Sequence, residues 1–421
     1  MVLLSLAYHS LRNRLLTTAL TVVSIALSVA LLVGVEQVRR GARESFSNTI
    51  SQTDLIVGAR GGSLQLLLYA VFRMGSATNN ISYESYQILA RHPAVEWTIP
   101  YSLGDSHRGF RVVGTTEEFY TRYRFRRHRK IEFAAGRAPR EIFEVAIGSD
   151  VASALGYKIG DAVTLTHGVA SGRGILDHDD RPFRIQGILA RTATPVDRSL
   201  YIPLEGMEAM HMDWADGAPP MPGEETPAAS IRKEHLQIKQ ITAFLLRARS
   251  RIDTLRLQRE INTFEDEPLM AIIPGVALNE LWRTIGYAED ALSVVTAFVL
   301  VVGLLGMLVS LYTSLNERRR EMAILRAVGA GPRTIIFLLV TESGLLALAG
   351  TVLGVGLAYA LALTAQPLVE RHFGLFIPLV RPTAAGWAYL SAVVVAGVLI
   401  GFVPAVKAYR NALADGLGVR L

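Results

Sequence analysis

The segment Leu315–Gly354, LNERRREMAILRAVGAGPRTIIFLLVTESGLLALAGTVLG, places a very basic stretch between two long apolar runs. Arg318, Arg319, Arg320, Arg326 and Arg333 crowd a connection short enough for the positive-inside rule to apply, which predicts a cytoplasmic position. Asn316 suits a helix N-cap, and Met322, Leu325 and Val328 recur at i, i+3 and i+6. Gly329 to Pro332 supplies the stop. The spacing therefore predicts a short amphipathic helix along the membrane surface. A basic turn that only fixes orientation is the plainer alternative.

Composition agrees with a membrane protein, since 50% hydrophobic residues and a mean hydropathy of +0.31 exceed what a soluble chain needs. The net charge of +6 and pI near 9.5 sit largely beside the apolar runs. Anionic lipid and topology explain such charge, so the bilayer is the expected partner and no nucleic acid is. The chain has no cysteine, which excludes disulfides, thiolate metal sites and cysteine nucleophiles but leaves the redox compartment open.

Leu4, Tyr8, Leu11 and Leu15 share one helical face, which predicts an interfacial helix at the start. From Leu15 to Val35 no charge interrupts the run, and at ~1.5 Å per residue it crosses a hydrocarbon core of ~30 Å. A signal peptide would have a shorter apolar region, so an uncleaved anchor is the reading adopted. Further spans are predicted over Ala291–Leu315, Thr334–Thr364 and Ala384–Val403. Four spans put both termini in the cytoplasm, in keeping with Lys407 and Arg410.

No run between Glu36 and Asp290 is apolar enough to span, so residues 36–288 are expected to form one extracytoplasmic domain. Strands are predicted over Asp54–Ala59, Val95–Leu103, Gly109–Thr115, Ile241–Ala248 and Leu269–Ile273, with helices from Ser82 to His92 and over 251–264. This pattern predicts a mixed α/β subdomain from about 50–116 and 237–275, and a β-rich subdomain over about 117–236. The expected fold is thus an α-helical membrane protein with four transmembrane helices plus an α+β extracytoplasmic domain of two subdomains. Residues 1–35 hold the interfacial helix and first span, and 289–421 the other three spans and the tail. Four prolines between Met212 and Ser230 predict a surface loop. Arg122, Arg124 and Arg126 alternate with Tyr123 and Phe125, which predicts one strand face painted positive. A solvated edge and a site for an acidic partner are both compatible with that face.

No GxxxxGK[ST] occurs, so the 421 residues lack the backbone cradle and lysine that hold nucleotide phosphates, and no cofactor is expected on them. GxSxG and HExxH are also missing, and the SxxK at Ser230–Lys233 stands without the SDN and KTG that accompany it in serine acyl-transfer sites, so no catalytic residue is assigned and the chain is read as a non-enzyme. Asp177, His178, Asp179 and Asp180, with His167 nearby, are the densest group of metal-ligand types. Adjacent ligands in a Gly-rich turn read first as a solvated loop, so no metal site is assigned. Glu342 falls in an apolar span, where an exposed carboxylate costs ~2.5–3.5 kcal/mol at the bilayer centre, and it should face protein or the interface. Ala26, Ala30 and Gly34 form a small-residue stripe, and Gly350/Gly354 and Gly397/Gly401 are GxxxG pairs suited to helix packing or dimerisation.

The run ERRREMAILRAVGA, followed by Glu342, Gly350 and Gly354, resembles the coupling helix and following span of MacB/FtsX/LolC-type ABC transporter permeases. The N-terminal SLRNRLLTTALTVVSIALSVALLVG and the C-terminal VPAVKAYRNALADGL extend that resemblance to both ends. It implies a permease subunit in the bacterial inner membrane whose extracytoplasmic domain is moved by ATP hydrolysis, termed mechanotransmission. The implied partners are an ABC ATPase dimer carrying ATP and Mg, a second copy of this permease, and a periplasmic or membrane-fusion protein. The implied ATPase contact is Glu317, Arg320, Glu321, Met322, Leu325, Arg326, Val328 and Gly329. Lipoprotein release of the LolC/E type and FtsX-like regulation of an outside enzyme are the alternatives, although FtsX relatives carry a smaller outer domain.

Overall fold

The structure, a computed structural model, describes residues 10–12, 14–126, 128–168, 181–213, 226–317, 324, 327–373, 379 and 381–417. The chain falls into two compact units: one built on Ala42–Ile285, the other holding most of the four long helices.

The elements run in chain order as α1 (Leu15–Thr49), β1 (Leu55–Ala59), α2 (Ser63–Ala70), β2 (Ile81–Ser82), α3 (Tyr83–Ala90), β3 (Val95–His107) and β4 (Phe110–Thr115). Next come α4 (Glu117–Arg122), β5 (Arg124–Phe125), β6 (Arg129–Lys130), β7 (Phe133–Gly136), β8 (Glu144–Ile147), α5 (Ser149–Leu155) and β9 (Ala162–Val163). After β10 (Phe183–Leu189), β11 (Ser199–Pro203) and α6 (Leu204–His211), the domain closes with β12 (Gln240–Ile241), β13 (Ala243–Ala248), α7 (Arg251–Asn262) and β14 (Leu269–Ile272). Three long helices complete the chain: α8 (Pro274–Glu317), α9 (Pro332–Phe373) and α10 (Ala384–Leu417).

In the Ala42–Ile285 unit one sheet runs β14-β1-β13-β3-β4-β11-β8-β10-β7, with β9 on β10. The long strand β3 serves both halves: Val95–Tyr101 pairs with β13, and Ser102–His107 pairs with β4. Among the described strands β4/β11 and β8/β10 run parallel and the other pairs antiparallel. Around β1, β13 and β14 the strands are buried on both faces, with Leu55, Val57, Phe244 and Leu246 on one side and Ile56 and Leu245 on the other. That burial accounts for continuous apolar runs rather than alternation. A second cluster, with Val112, Val145, Phe183, Ile185 and Leu200, fills the far half of the sheet. Helix starts are capped as their sequences suggest. Ser82 accepts from Ser85 N at 3.1 Å, and Ser250 accepts from Asp253 N at 3.2 Å.

One strand expectation is corrected. Arg122 closes α4, Arg124–Phe125 pairs with Arg129–Lys130, and Arg126 takes a φ of +42° in the intervening turn. The basic run is a helix end followed by a tight hairpin, so its arginines do not share one strand face. Tyr123 and Phe125 are buried. They turn inward because their rings complete the core around Phe119. Most of the Met212–Ser230 segment, 214–225, lies outside the described residues.

Among the described residues, four helices are long and apolar enough to cross a membrane: Leu15–Glu44, Pro274–Ser314, Arg333–Val369 and Ala384–Lys407. They share a core of Ile25, Val29, Met307, Leu311, Leu346, Leu390 and Val393. Polar links accompany it. Thr21 Oγ1 meets Ser310 Oγ at 3.0 Å, Ser28 Oγ donates to Val299 O at 3.2 Å, and Arg14 Nη1 donates to Ser314 O at 2.9 Å.

Candidate functional site

Between α8 and α9, Arg320, Glu321, Met322, Leu325 and Arg326 lie outside the described residues, and Glu317 is the last residue of α8. Further along, Val328 N donates to Ile324 O at 3.1 Å, which closes a helical turn. Gly329 then takes a φ of +94°, a left-handed conformation that ends the turn and favours glycine. Ile324 and Val328 are both exposed, Val328 at 84%. Among the described residues nothing covers Val328.

The glycines of the spans sit at close helix approaches. A Cβ on Gly350 would stand 2.7 Å from Ile25 Cβ, and one on Gly354 would stand 2.6 Å from the carbonyl oxygen of Ala26. Gly401 meets Ser343, and Gly397 meets Ala347. Ala26 and Ala30 are themselves buried, Ala26 against α9, while a Cβ on Gly34 would touch nothing within 4 Å. At Ala26, then, the small-residue stripe packs against α9 inside the protomer. Glu342 is fully buried on α9 beside buried Ser343, facing protein rather than lipid.

A third constellation lies in the sheet unit, and the sequence did not reveal it. The register of β3 against β4 shifts between Leu103 and Ser106, so Gly104 and Asp105 form a bulge. Bulges re-aim side chains. Here Asp105, Ser106 and His107 are all buried in succession. Ser106 exchanges backbone hydrogen bonds with Thr166, at 3.0 and 2.8 Å, and its Oγ donates to Gly168 O at 2.6 Å. These contacts bring His167 to Asp105, with His167 Nδ1 3.4 Å from Asp105 Oδ1. His211, the last residue of α6, enters from the other side, with Nε2 3.4 Å from Asp105 Oδ2 and 3.2 Å from His167 Nδ1. Its Nδ1 donates to Met207 O at 2.9 Å, which fixes the ring. The end of α6 is held in turn by buried Arg181, which donates to the carbonyls of Ala209 and Met210 and pairs with Asp213. Burial alone would raise the Asp105 carboxyl, but hydrogen bonds and charge from His167 and His211 outweigh it and hold the group far below the usual carboxylate range. Burial lowers His211, yet Asp105 overrides that and raises it.

Beside this group a cleft of about 560 Å³ is lined by Arg73, Asn80, Gly104, Arg111 and Gly168. Gly104 and Gly168 are the chain neighbours of Asp105 and His167. The Arg73 guanidinium lies 4.4 Å from the Tyr101 ring centroid, and Arg111 Nη2 donates to Gly75 O, so both cations are held in the cleft wall.

Four helices long and apolar enough to cross a membrane, with a sheet domain inserted between the first and second, define the architecture of a multi-pass membrane protein. Comparison with known families agrees. The MacB-like periplasmic core domain matches residues 18–264, and the FtsX-like permease C-terminal region matches residues 293–413. The chain belongs to the family of FtsX-like permeases that carry a MacB-like periplasmic core domain. Among curated relatives, a macrolide export ATP-binding/permease protein MacB of Photorhabdus laumondii is 35% identical over 119 residues, 28% of this chain and 18% of that protein. A MacB of Chromobacterium violaceum is 32% identical over 145 residues, 33% of this chain and 22% of that protein. The matched stretch thus spans about a fifth of the length of these relatives. A solved extracellular domain of the ABC-type transporter YknZ from Gram-positive bacteria aligns over 52% of this chain and 98% of that one. Its identity is 11% and its TM-score 0.31, too low to bear on fold or function.

Proposed function

We propose that the protein is the permease subunit of a MacB-like ABC transporter, working as a dimer in the bacterial inner membrane with both termini cytoplasmic and the sheet domain periplasmic. ATP and Mg are bound by an ABC ATPase outside these 421 residues, consistent with the missing phosphate-binding motif. The observation that carries the reading is the turn between α8 and α9: an exposed apolar Val328, a left-handed Gly329 and a surrounding run of arginines. Such a turn offers a partner both an apolar contact and a fixed stop. ATPase closure against residues 317–330 would displace the spans and, through them, the periplasmic domain, for export or extraction of a substrate.

The test is co-purification of the cognate ATPase with tagged permease. Leu325→Asp should abolish recovery of the ATPase and its ATP hydrolysis while membrane insertion is unchanged. ATPase recovered at the wild-type level would remove residues 317–330 as the coupling contact.

A further inference from the structure

We propose that Asp105, His167 and His211 form a binding site for a divalent transition-metal ion, with Zn²⁺ as the best-fitting class. The three residues come from separate places in the chain: the β3 bulge, the segment running beside it, and the end of α6. Their ligand atoms all lie within 4.8 Å of one another. The closest approaches are 3.2, 3.4 and 3.4 Å. Bonds of about 2.0–2.1 Å at tetrahedral angles set neighbouring ligands about 3.3 Å apart, which matches the His167–His211 spacing, while the two contacts to Asp105 fall on different oxygens, Oδ1 for His167 and Oδ2 for His211, so the carboxylate would turn to offer one ion its oxygen.

Protonation points the same way. A carbonyl oxygen only accepts, so the contact with Met207 O puts the proton on His211 Nδ1 and turns the Nε2 lone pair toward Asp105 and His167. A ring nitrogen oriented by a backbone carbonyl on its far side is the usual arrangement behind a metal-bound imidazole. Asp105 Oδ2 is buried and has only the long 3.4 Å contact to His211 Nε2 among the described residues. A buried carboxylate oxygen of that kind needs a cation or a donor. Two imidazoles with one carboxylate favour Zn²⁺ over Ca²⁺ or Mg²⁺, which take oxygen ligands. His167 is 45% exposed at its side chain, giving an ion a way in from solvent. The described residues supply three ligands, as in the three-protein-ligand zinc sites. The rival arrangement is a protonated His211 closing an ion pair with Asp105, with no metal.

Full-length protein in detergent, stripped with chelator, would be titrated with Zn²⁺ by calorimetry and with Co²⁺ by visible absorption. The expected result is one ion per chain and the intense Co²⁺ bands of a tetrahedral site. His167→Ala, at the exposed ligand, should leave the fold intact and weaken binding by more than the roughly 10- to 100-fold that loss of an outer-shell partner brings. A variant with Asp177, His178, Asp179 and Asp180 all changed to Ser separates the two candidate ligand groups. Binding that survives these four changes but not His167→Ala supports the site. Wild-type protein that takes up no ion, or His167→Ala that binds as wild type, overturns it. So does binding lost only in the four-residue variant, which would assign the ion to residues 177–180.

Discussion

Gly354 lies so close to Ala26 that a Cβ on the glycine would stand 2.6 Å from the alanine's carbonyl oxygen. The first and third spans therefore meet with backbone against backbone. With lipid on both sides, such close approach is a main source of helix association, because no hydrophobic gain separates protein from tail.

Gly354→Val should accordingly push α1 from α9 and destabilise the helical unit by about 1–3 kcal/mol, the usual range for overpacking. The measurement is the denaturation midpoint in mixed micelles. Gly356→Val on the same helix, where a Cβ would meet nothing within 4 Å, controls for helix propensity. Equal losses at both positions would show that the contact with Ala26 is unimportant.

Gly329 leads to a second expectation. At a φ of +94° a β-branched residue is strained by about 1–2 kcal/mol, so Gly329→Val should shift the end of the turn that presents Val328. Because the strain is local, insertion and thermal stability should change little while ATPase recovered with the permease falls several-fold. Full recovery would separate the left-handed stop from coupling.

The third expectation concerns pH. Glu144 is buried, accepts from Arg137 Nη1 and Nη2 at 2.9 and 2.7 Å, and accepts from Arg140 N at 2.7 Å. Burial raises its carboxyl, but these hydrogen bonds outweigh it and lower the group below the ordinary glutamate value. Its contribution is therefore present above the unfolded value of about 4.3 and is lost as pH falls through the folded one. Glu144→Gln should cost roughly 1.5–3 kcal/mol at pH 7, with a gap to wild type that closes in acid. A gap that stays constant from pH 7 to pH 3 would contradict the ionised form.

The spans were legible because length and apolarity alone decide them, and β1, β3, β4, β13 and β14 were legible as short runs of apolar and β-branched residues. The partners of Gly350 and Gly401 were not, since GxxxG marks a face without saying which helix meets it. The arginines from 122 to 126 misled because period-2 alternation also arises when two aromatic side chains enter a core across a turn. The Asp105 group was hidden for a different reason. His167 and His211 are separated in the chain by 44 positions, and only the β3 bulge aims Asp105 at both. The local traces were His167, read only beside residues 177–180, and an Asp and a His at the end of a strand otherwise well supplied with apolar residues. Those traces have no motif of their own.

The last prediction concerns transmission along α8, which is helical from Pro274 to Glu317 with proline only at its first position. If ATPase action at residues 317–330 reaches the periplasmic domain through this helix, the hydrogen-bond ladder must stay intact between its ends. Proline in a helix interior removes one bond and clashes with the preceding turn at about 3 kcal/mol or more. Ala288→Pro, in the interior of the helix, should leave ATPase recovery and ATP hydrolysis near wild type. A spin-label distance between the sheet domains of two copies should then stop responding to nucleotide. If that distance still changes as in wild type, transmission passes instead through α1 or through the bound substrate.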